Sequence, residues 1–294
     1  MKRNVFLFVL LLVLMPALAW AAVVADSHFN ALNEGGFNCY GSNGASVSIA
    51  SGTGTPDAPN ALKIIFPSGF VAGNYPMECS APSYNSNEIY RQVYVMFPVG
   101  YQHYSDGGTG GADKIAYDYL DSHNGSDNPG NFATIVWNWG NHPNGKPDWG
   151  WQPYGIMIYL QPNSSGLPQR NLYPNQPGAI GMVDGVWYKL SWYVKLNTSG
   201  SANGIARAWI NDVLQFEYTD VELRKNGGGA ESNWGTRNFW LSNLLPIWGG
   251  HGETKDQSDF FYMDHAIVST TPIGGGSTDA LQKEPNPPNS LIIK

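Results

Sequence analysis

Short segments of alternating apolar and polar residues recur along most of the chain and constrain its fold more than any other feature. Nine such segments are of strand length, and each is bounded by Gly, Pro, Asn or Asp. They are Leu62–Phe66, Glu88–Phe97, Lys114–Leu120, Phe132–Trp139, Gly155–Gln161, Trp187–Leu196, Ile205–Asn211, Arg237–Asn243 and Phe260–Ser269. No stretch of about 12 residues keeps the apolar stripe of a helix. The pattern predicts about ten strands in two packed antiparallel sheets, an all-β sandwich of the jelly-roll type.

The charge of the chain limits its partners. It has 16 Lys and Arg against 23 Asp and Glu, a formal net charge of −7, and the basic residues form no cluster. Nucleic acids require a basic surface, so they are not expected as ligands. An anionic ligand would have to be bound by a few individually placed cations.

The two ends of the chain differ from its centre. Lys2 and Arg3 precede an apolar run at 5–14, and small residues at 19–21 or 23–25 suit cleavage, which predicts a secretory signal peptide over 1–25. An uncleaved membrane anchor is the alternative, although the run is shorter than the ~20 residues that span a bilayer. Residues 26–273 form the predicted domain, and 274–294, rich in Gly and Pro, a flexible tail or linker. We expect a secreted protein, extracellular or periplasmic, with no membrane contact after signal removal.

Only two cysteines occur, Cys39 and Cys79. In an oxidising compartment one disulfide is expected, with two free thiols as the alternative. The sequence shows no metal-ligand spacing, so neither a metal nor a cofactor is predicted. Asp264 is open to two interpretations, a calcium ligand or a hydrogen-bonded core acid.

Three surfaces are candidates for binding a sugar. The first is the polar face of the strand at 88–97, where Tyr90, Gln92 and Tyr94 alternate with apolar residues. The second is the Gly-rich segment at 107–111 followed by a strand that begins with Lys114 and carries Tyr117 and Tyr119. The third is an aromatic loop region containing Trp137, Trp139, His142, Trp149, Trp151 and Tyr154. Each also has an ordinary structural interpretation, as outward-facing strand residues or as a loop packed on its own aromatic rings.

Four segments resemble the concanavalin A-like lectin and glucanase superfamily, and within it the jelly-roll lyases that act on alginate and glucuronan. The segments are Gly185–Asn197, Asn203–Asn211, Trp248–Gly250 and Asp259–Thr270, and the resemblance covers roughly 60–274. It implies a concave sheet that binds an acidic polysaccharide and cleaves it by β-elimination. In that reaction a cation or amide neutralises the uronate carboxylate, a base removes the C5 proton, and an acid protonates the leaving oxygen.

The resemblance also implies roles for individual residues. Lys114 matches the lysine that follows a Gly-rich loop in such lyases. Two positions differ, because Thr134 or Ile135 stands where an arginine is expected and Gln161 replaces the second tyrosine of a Tyr-x-Tyr strand that begins at Tyr159. Residues of the same chemistry elsewhere in the chain are candidates to replace the missing tyrosine and arginine. They are Tyr117, Tyr119 or Tyr159 for proton transfer, and Arg91, Arg207 or Arg224 for the cation.

The sequence therefore predicts a secreted lyase that acts on an anionic extracellular polysaccharide, with catalysis by Lys114, Tyr117, Tyr159 and Gln161. The alternative is a non-catalytic carbohydrate-binding or adhesive module, which the two substituted positions favour. His103 and His142 are weaker candidates for a base.

Overall fold

The computed structural model describes residues 22–55, 58–104, 112–121, 131–138, 154–161, 167, 169–225, 236–250 and 252–273. Its regular structure there consists of fifteen strands. They are β1 (Val23–Ser27), β2 (Asn38–Gly41), β3 (Ser46–Ser51), β4 (Asn60–Phe66), β5 (Met77–Ser80), β6 (Glu88–Met96), β7 (Ala112–Leu120), β8 (Asn131–Asn138), β9 (Tyr154–Gln161), β10 (Arg170–Leu172), β11 (Tyr188–Lys195), β12 (Gly204–Ile210), β13 (Val213–Val221), β14 (Phe239–Trp248) and β15 (Asp259–Ser269). None of the described residues belongs to a helix that could cross a lipid bilayer.

The strands form two antiparallel sheets. One has eight strands, in the order β13-β12-β11-β6-β15-β4-β3, with β1 added beside β15. The other has seven strands, in the order β10-β9-β8-β7-β14-β5-β2. Each sheet contributes one face to a shared apolar core, as two-sheet sandwiches do. The predicted all-β sandwich is confirmed.

Strand β11 shows how the sequence pattern builds this core. Leu190, Trp192 and Val194 alternate along it and are completely or almost completely buried between the sheets. Lys195 is exposed on the opposite face. This alternation is the one predicted from the sequence, and it holds because side chains of a strand point to opposite faces in turn.

The chain has more strands than the sequence predicted, and β13 shows why. The prediction ended a strand at Asn211, but Asn211 and Asp212 form a two-residue turn with φ of +47° and +65°. Asn and Asp tolerate this left-handed backbone, which suits a tight hairpin. The chain therefore continues directly into β13, which pairs with β12. The other unpredicted strands, β1, β2, β3, β5 and β10, have three to six residues each.

A disulfide joins two of these short strands. Cys39 in β2 lies directly opposite Cys79 in β5, and the two sulfur atoms are bonded. The predicted disulfide is confirmed. Strand β1 begins at Val23, so the predicted boundary of the signal peptide at residue 25 falls within it. Of the two predicted cleavage positions, the one after residue 21 leaves β1 whole.

One ion pair connects the two sheets through the core. Arg91 Nη1 in β6 donates to Asp118 Oδ1 in β7 at 2.6 Å, and both side chains are fully buried. Ser242 Oγ and Trp192 Nε1 also donate to the Asp118 carboxylate. Partners of this kind matter in the interior, because an acidic group buried without them would cost free energy.

Candidate functional site

A β-bulge in β7 determines which side chains share the outer face of the seven-stranded sheet. Strict alternation would put Lys114 on the face opposite Tyr117. The register between β7 and β8 shifts between Lys114 and Ala116, and both Ile115 and Ala116 point into the core. Lys114 instead pairs with Ile135, which belongs to a cluster of outward-facing residues that includes Tyr117. The bulge therefore puts Lys114 and Tyr117 on one surface.

Lys114 is partly buried at one end of this surface. Its Nζ donates to the carbonyl oxygen of Gly249 at 2.7 Å. Burial lowers the pKa of Lys114, and the neighbouring carboxylate of Asp113 acts in the opposite direction. Gly249 has φ +71°, and a Cβ at this position would meet the ring of Tyr104 at 2.0 Å. The turn that presents this carbonyl to Lys114 therefore requires glycine.

Three tyrosines lie on the same face. Tyr117 and Tyr119 of β7 stack with ring centroids 5.9 Å apart. Tyr159 of β9 is separated from Tyr117 by Ala133 of β8, in one row of register partners. The small Ala133 is completely buried between the larger neighbours. Burial, and next the charge of a nearby Tyr159 phenolate, raise the pKa of Tyr117. Tyr117 therefore keeps its proton near neutral pH.

Amide side chains border the tyrosines. Asn131 pairs with both Tyr119 and Gln161, so Gln161 lies in the same row of the outer face. Asn243 pairs with Tyr117 and donates from Nδ2 to Glu78 Oε1 at 2.6 Å. The side-chain oxygens of both asparagines are buried and have no hydrogen-bond partner among the described residues.

Sequence reasoning missed Asn131, Asn243 and Glu78. Glu78 holds the Asn243 amide from β5, and it also accepts a hydrogen bond from Tyr40. Alternation along β8 and β14 is consistent with Asn131 and Asn243 on the outer face. Their position beside the tyrosines depends on how these strands pair with β7. The sequence gives no signal for that register.

His103 lies on the core side of the sheet, next to Lys114 in space but not on its surface. Its ring bonds Asp113 Oδ2 at 2.6 Å through Nδ1 and Asp184 Oδ1 at 3.0 Å through Nε2. Burial lowers its pKa, but the two carboxylates outweigh burial and raise the pKa to about 9. His103 is thus protonated at neutral pH, which argues against the predicted role as a base.

Four predicted binding residues lie on the outer face of the other sheet. Tyr90 stacks on Tyr193 with centroids 4.5 Å apart, and Arg207 pairs with Glu217 at 2.9 Å. Gln92 lines a nearby cavity of about 220 Å³ together with Lys189 and Trp209. Tyr94 stacks on His265. Tyr90, Gln92, Tyr94 and Arg207 therefore lie on the opposite side of the sandwich from Lys114, and the thickness of the sandwich separates the two candidate surfaces.

Two arginines offered as substitute cations have structural roles. Arg91 is enclosed between the sheets by its ion pair with Asp118, so its guanidinium reaches neither outer face. Arg224 donates to the backbone oxygens of Asn197 and Arg237 and to the side chain of Asn238. Burial lowers its pKa. Its guanidinium holds loops together at one end of the sandwich.

Other predicted positions have simpler outcomes. Trp139, His142 and Trp151 lie outside the described residues, and Trp137 lies in β8. Of the two residues at the expected arginine position, Thr134 points into the core and Ile135 points outward beside Lys114. Asp264 is completely buried, and its carboxylate accepts hydrogen bonds from Thr55 and from the amide of His265. These bonds agree with the core-acid interpretation of Asp264.

No family model and no curated protein matches the sequence. The structure matches an endo-β-1,4-glucuronan lyase from the fungus Trichoderma reesei at a TM-score of 0.55 and 12% identity, over 85% of this chain and 96% of that one. It matches the alginate lyase vAL-1 from a Chlorella virus at a TM-score of 0.54 and 15% identity, over 84% and 99%.

A third match is the PL-14 alginate lyase from Aplysia kurodai, at a TM-score of 0.52 and 12% identity, over 84% of this chain and 99% of that one. Identities this low establish the fold and leave the chemistry to the residues of the site. The chain therefore has the jelly-roll sandwich fold of the glucuronan and alginate lyases, as its sequence motifs predicted.

Proposed function

We propose that the chain is a lyase that cleaves a uronate-containing polysaccharide by β-elimination on the outer face of its seven-stranded sheet. The observation that supports this function is the convergence of one partly buried ammonium group, Lys114, with the phenols of Tyr117 and Tyr159 on one surface. The likeness in fold to alginate and glucuronan lyases supports the same reaction class.

Lys114 is assigned to the uronate carboxylate. Its ammonium is withdrawn from water and bonds the Gly249 carbonyl, which carries no net charge. An incoming carboxylate would supply the negative charge that the ammonium lacks on the open side. In a site of reduced dielectric such a pair is stronger than in water, and it would make the C5 proton more acidic.

The two tyrosines are assigned to proton transfer. Tyr117, whose pKa is raised by burial, is suited to donate a proton to the leaving oxygen. Tyr159 is assigned to remove the proton from C5. The electron pair of that C–H bond then forms the C4–C5 double bond, the C4–O bond breaks, and the leaving oxygen takes the Tyr117 proton. Gln161 is assigned to hold the sugar through hydrogen bonds.

The test is to incubate the protein with alginate, glucuronan and a neutral β-glucan and to follow the ultraviolet absorbance of the unsaturated product. We expect absorbance to rise with at least one uronan and not with the β-glucan. Tyr159→Phe and Tyr117→Phe should each lower the rate by at least about 100-fold, in the range of general acid–base catalysis. Tyr193→Phe, on the outer face of the other sheet, is the matched control and should keep the rate.

A second function, non-catalytic binding of an acidic polysaccharide, is favoured by one observation. Ile135 faces outward beside Lys114, where the resemblance to lyases leads one to expect an arginine. Retention on an immobilised uronan without any absorbance change would support this function and contradict catalysis. In either case we propose that the protein is secreted, because a signal peptide is predicted and a disulfide is present.

A further inference from the structure

Three side chains with metal-binding atoms converge on the eight-stranded sheet, on the far side of the sandwich from Lys114. They are Asp26 of β1, His28 just after β1, and His265 of β15, and their ligand atoms all lie within 4.8 Å of one another. The two imidazole rings stack with centroids 4.0 Å apart. His265 Nε2 is 3.6 Å from Asp26 Oδ1. No part of the proposed lyase function uses these residues.

The backbone around this cluster is unusual. His265 has φ +39° within a strand, and Phe29, directly after His28, has φ +49°. Such angles are uncommon for residues other than glycine and concentrate at functional sites. The segment is also tightly held, because the Asp26 amide donates to the Gly35 carbonyl at 2.8 Å and the Phe29 amide donates to Ser27 Oγ at 2.9 Å. The cluster is therefore formed by fixed backbone geometry.

The polar atoms of His28 supply an independent indication of a ligand. Its Nδ1 is buried and has no hydrogen-bond partner among the described residues. A buried nitrogen without a partner costs free energy, and such an atom in a folded protein calls for an explanation such as an ion that binds there. A neutral imidazole nitrogen is a good ligand for transition metals.

The chemistry of the three groups selects the type of ion. Two imidazoles and one carboxylate suit zinc and its neighbours among the divalent transition metals, whereas calcium prefers six to eight oxygen ligands. Bonds of about 2.0–2.2 Å to a tetrahedral ion require ligand atoms slightly closer together than they are here, which small side-chain rotations can achieve. Asp26 is about half exposed, so the remaining coordination positions face water.

We propose that Asp26, His28 and His265 form a binding site for a divalent transition metal ion of the zinc type. The site joins the first strand to the last. Among the described strands, β1 pairs only with β15, and the ion would link the two through side chains as well as through the backbone. Bound metal should thus fix β1 on the sheet and stabilise the folded chain by mass action.

The test uses protein that begins at Ala22, carries no polyhistidine tag and has been dialysed against EDTA. Calorimetric titration with Zn²⁺ should give one ion per chain. His28→Ala and His265→Asn should each weaken binding at least tenfold, and asparagine is chosen because it tolerates the left-handed backbone at 265. Asp212→Asn, which removes an exposed carboxylate elsewhere on the same sheet, is the control and should keep the wild-type affinity.

Thermal stability and the absorption spectrum of bound Co²⁺ provide two further tests of the metal site. At 100 times the wild-type dissociation constant, Zn²⁺ should raise the melting temperature of the wild type by about 5–10 °C, and that of His28→Ala by no more than about 3–6 °C if its affinity is tenfold weaker. Co²⁺ in place of Zn²⁺ should give the visible absorption of a low-symmetry site with nitrogen ligands. Absence of binding at millimolar Zn²⁺, or equal binding by wild type and both histidine variants, would overturn the proposal. If His28→Ala fails to fold without metal, Asp26→Asn at the exposed ligand replaces it in the same comparison.

Discussion

Replacing Lys114 with Met should separate activity from stability. The folded state loses a hydrogen bond from a charged group to the Gly249 carbonyl, worth about 1.5–3 kcal/mol. The substitution also removes the desolvation cost of a partly buried charge, which stabilises the folded state. This desolvation is the cause of the lowered pKa of Lys114. Methionine retains most of the apolar stem. The two changes oppose each other, so we expect the free energy of unfolding to change by no more than about 1 kcal/mol and the melting temperature by no more than about 4 °C.

The same substitution should remove most of the proposed lyase activity. Loss of one group that stabilises developing charge typically lowers the rate by about 100- to 1000-fold, or about 3–4 kcal/mol of activation free energy. The assay is the initial rate of ultraviolet absorbance on the best uronan, with melting followed on the same samples. Lys189→Met on the other sheet, where Lys189 pairs with Asp212, is the control. A fall in melting temperature of more than about 10 °C would show that Lys114 is structural, and an unchanged rate would refute its role in the reaction.

Three further predictions concern stability. Arg91→Met and Asp118→Asn should each cost about 3–5 kcal/mol in urea unfolding, because each leaves a buried partner unpaired, while the double variant should cost clearly less than the sum. Strict additivity of the two free-energy losses would contradict the energetic coupling between Arg91 and Asp118. Replacing Cys39 and Cys79 together with Ser should cost about 3–4 kcal/mol, given a sequence separation of 40, and a loss below about 1 kcal/mol would contradict it. The pKa of His103 is raised to about 9 in the folded protein, and this shift contributes about 3 kcal/mol to the stability of the fold. That stability is fully present below pH ~6.5 and is lost as the pH rises through 9. His103→Gln should flatten this part of the profile of stability against pH, and an unchanged profile would refute the assignment.

The fold was predictable wherever apolar and polar residues alternate over enough positions. Strand β11 is such a case, since Leu190, Trp192 and Val194 mark its buried face without ambiguity. Strand β3 is the opposite case: it has six residues, none of them fully buried, and it pairs at one edge of the sheet. Its position depends on the neighbouring strand β4 and not on a pattern of its own.

The candidate site was predictable in its residue types and not in its geometry. Period-two alternation separates Lys114 from Tyr117, and only the bulge at Ile115 and Ala116 brings them to one face. A bulge leaves little trace in sequence, since many residue types accept it. The sequence also does not show to which sheet a strand belongs. Tyr90 and Tyr117 occur in similar patterns but point to opposite sides of the sandwich.

The order of strands has a consequence for how this chain folds. The last of the described strands, β15, is inserted between β4 and β6, which come from the first third of the sequence. While residues 259–269 are missing from a growing polypeptide, both neighbours present unsatisfied hydrogen-bonding edges that invite association with other molecules. Closure of the eight-stranded sheet is therefore a late, long-range event, and we expect folding to be slow and dependent on release of the complete chain.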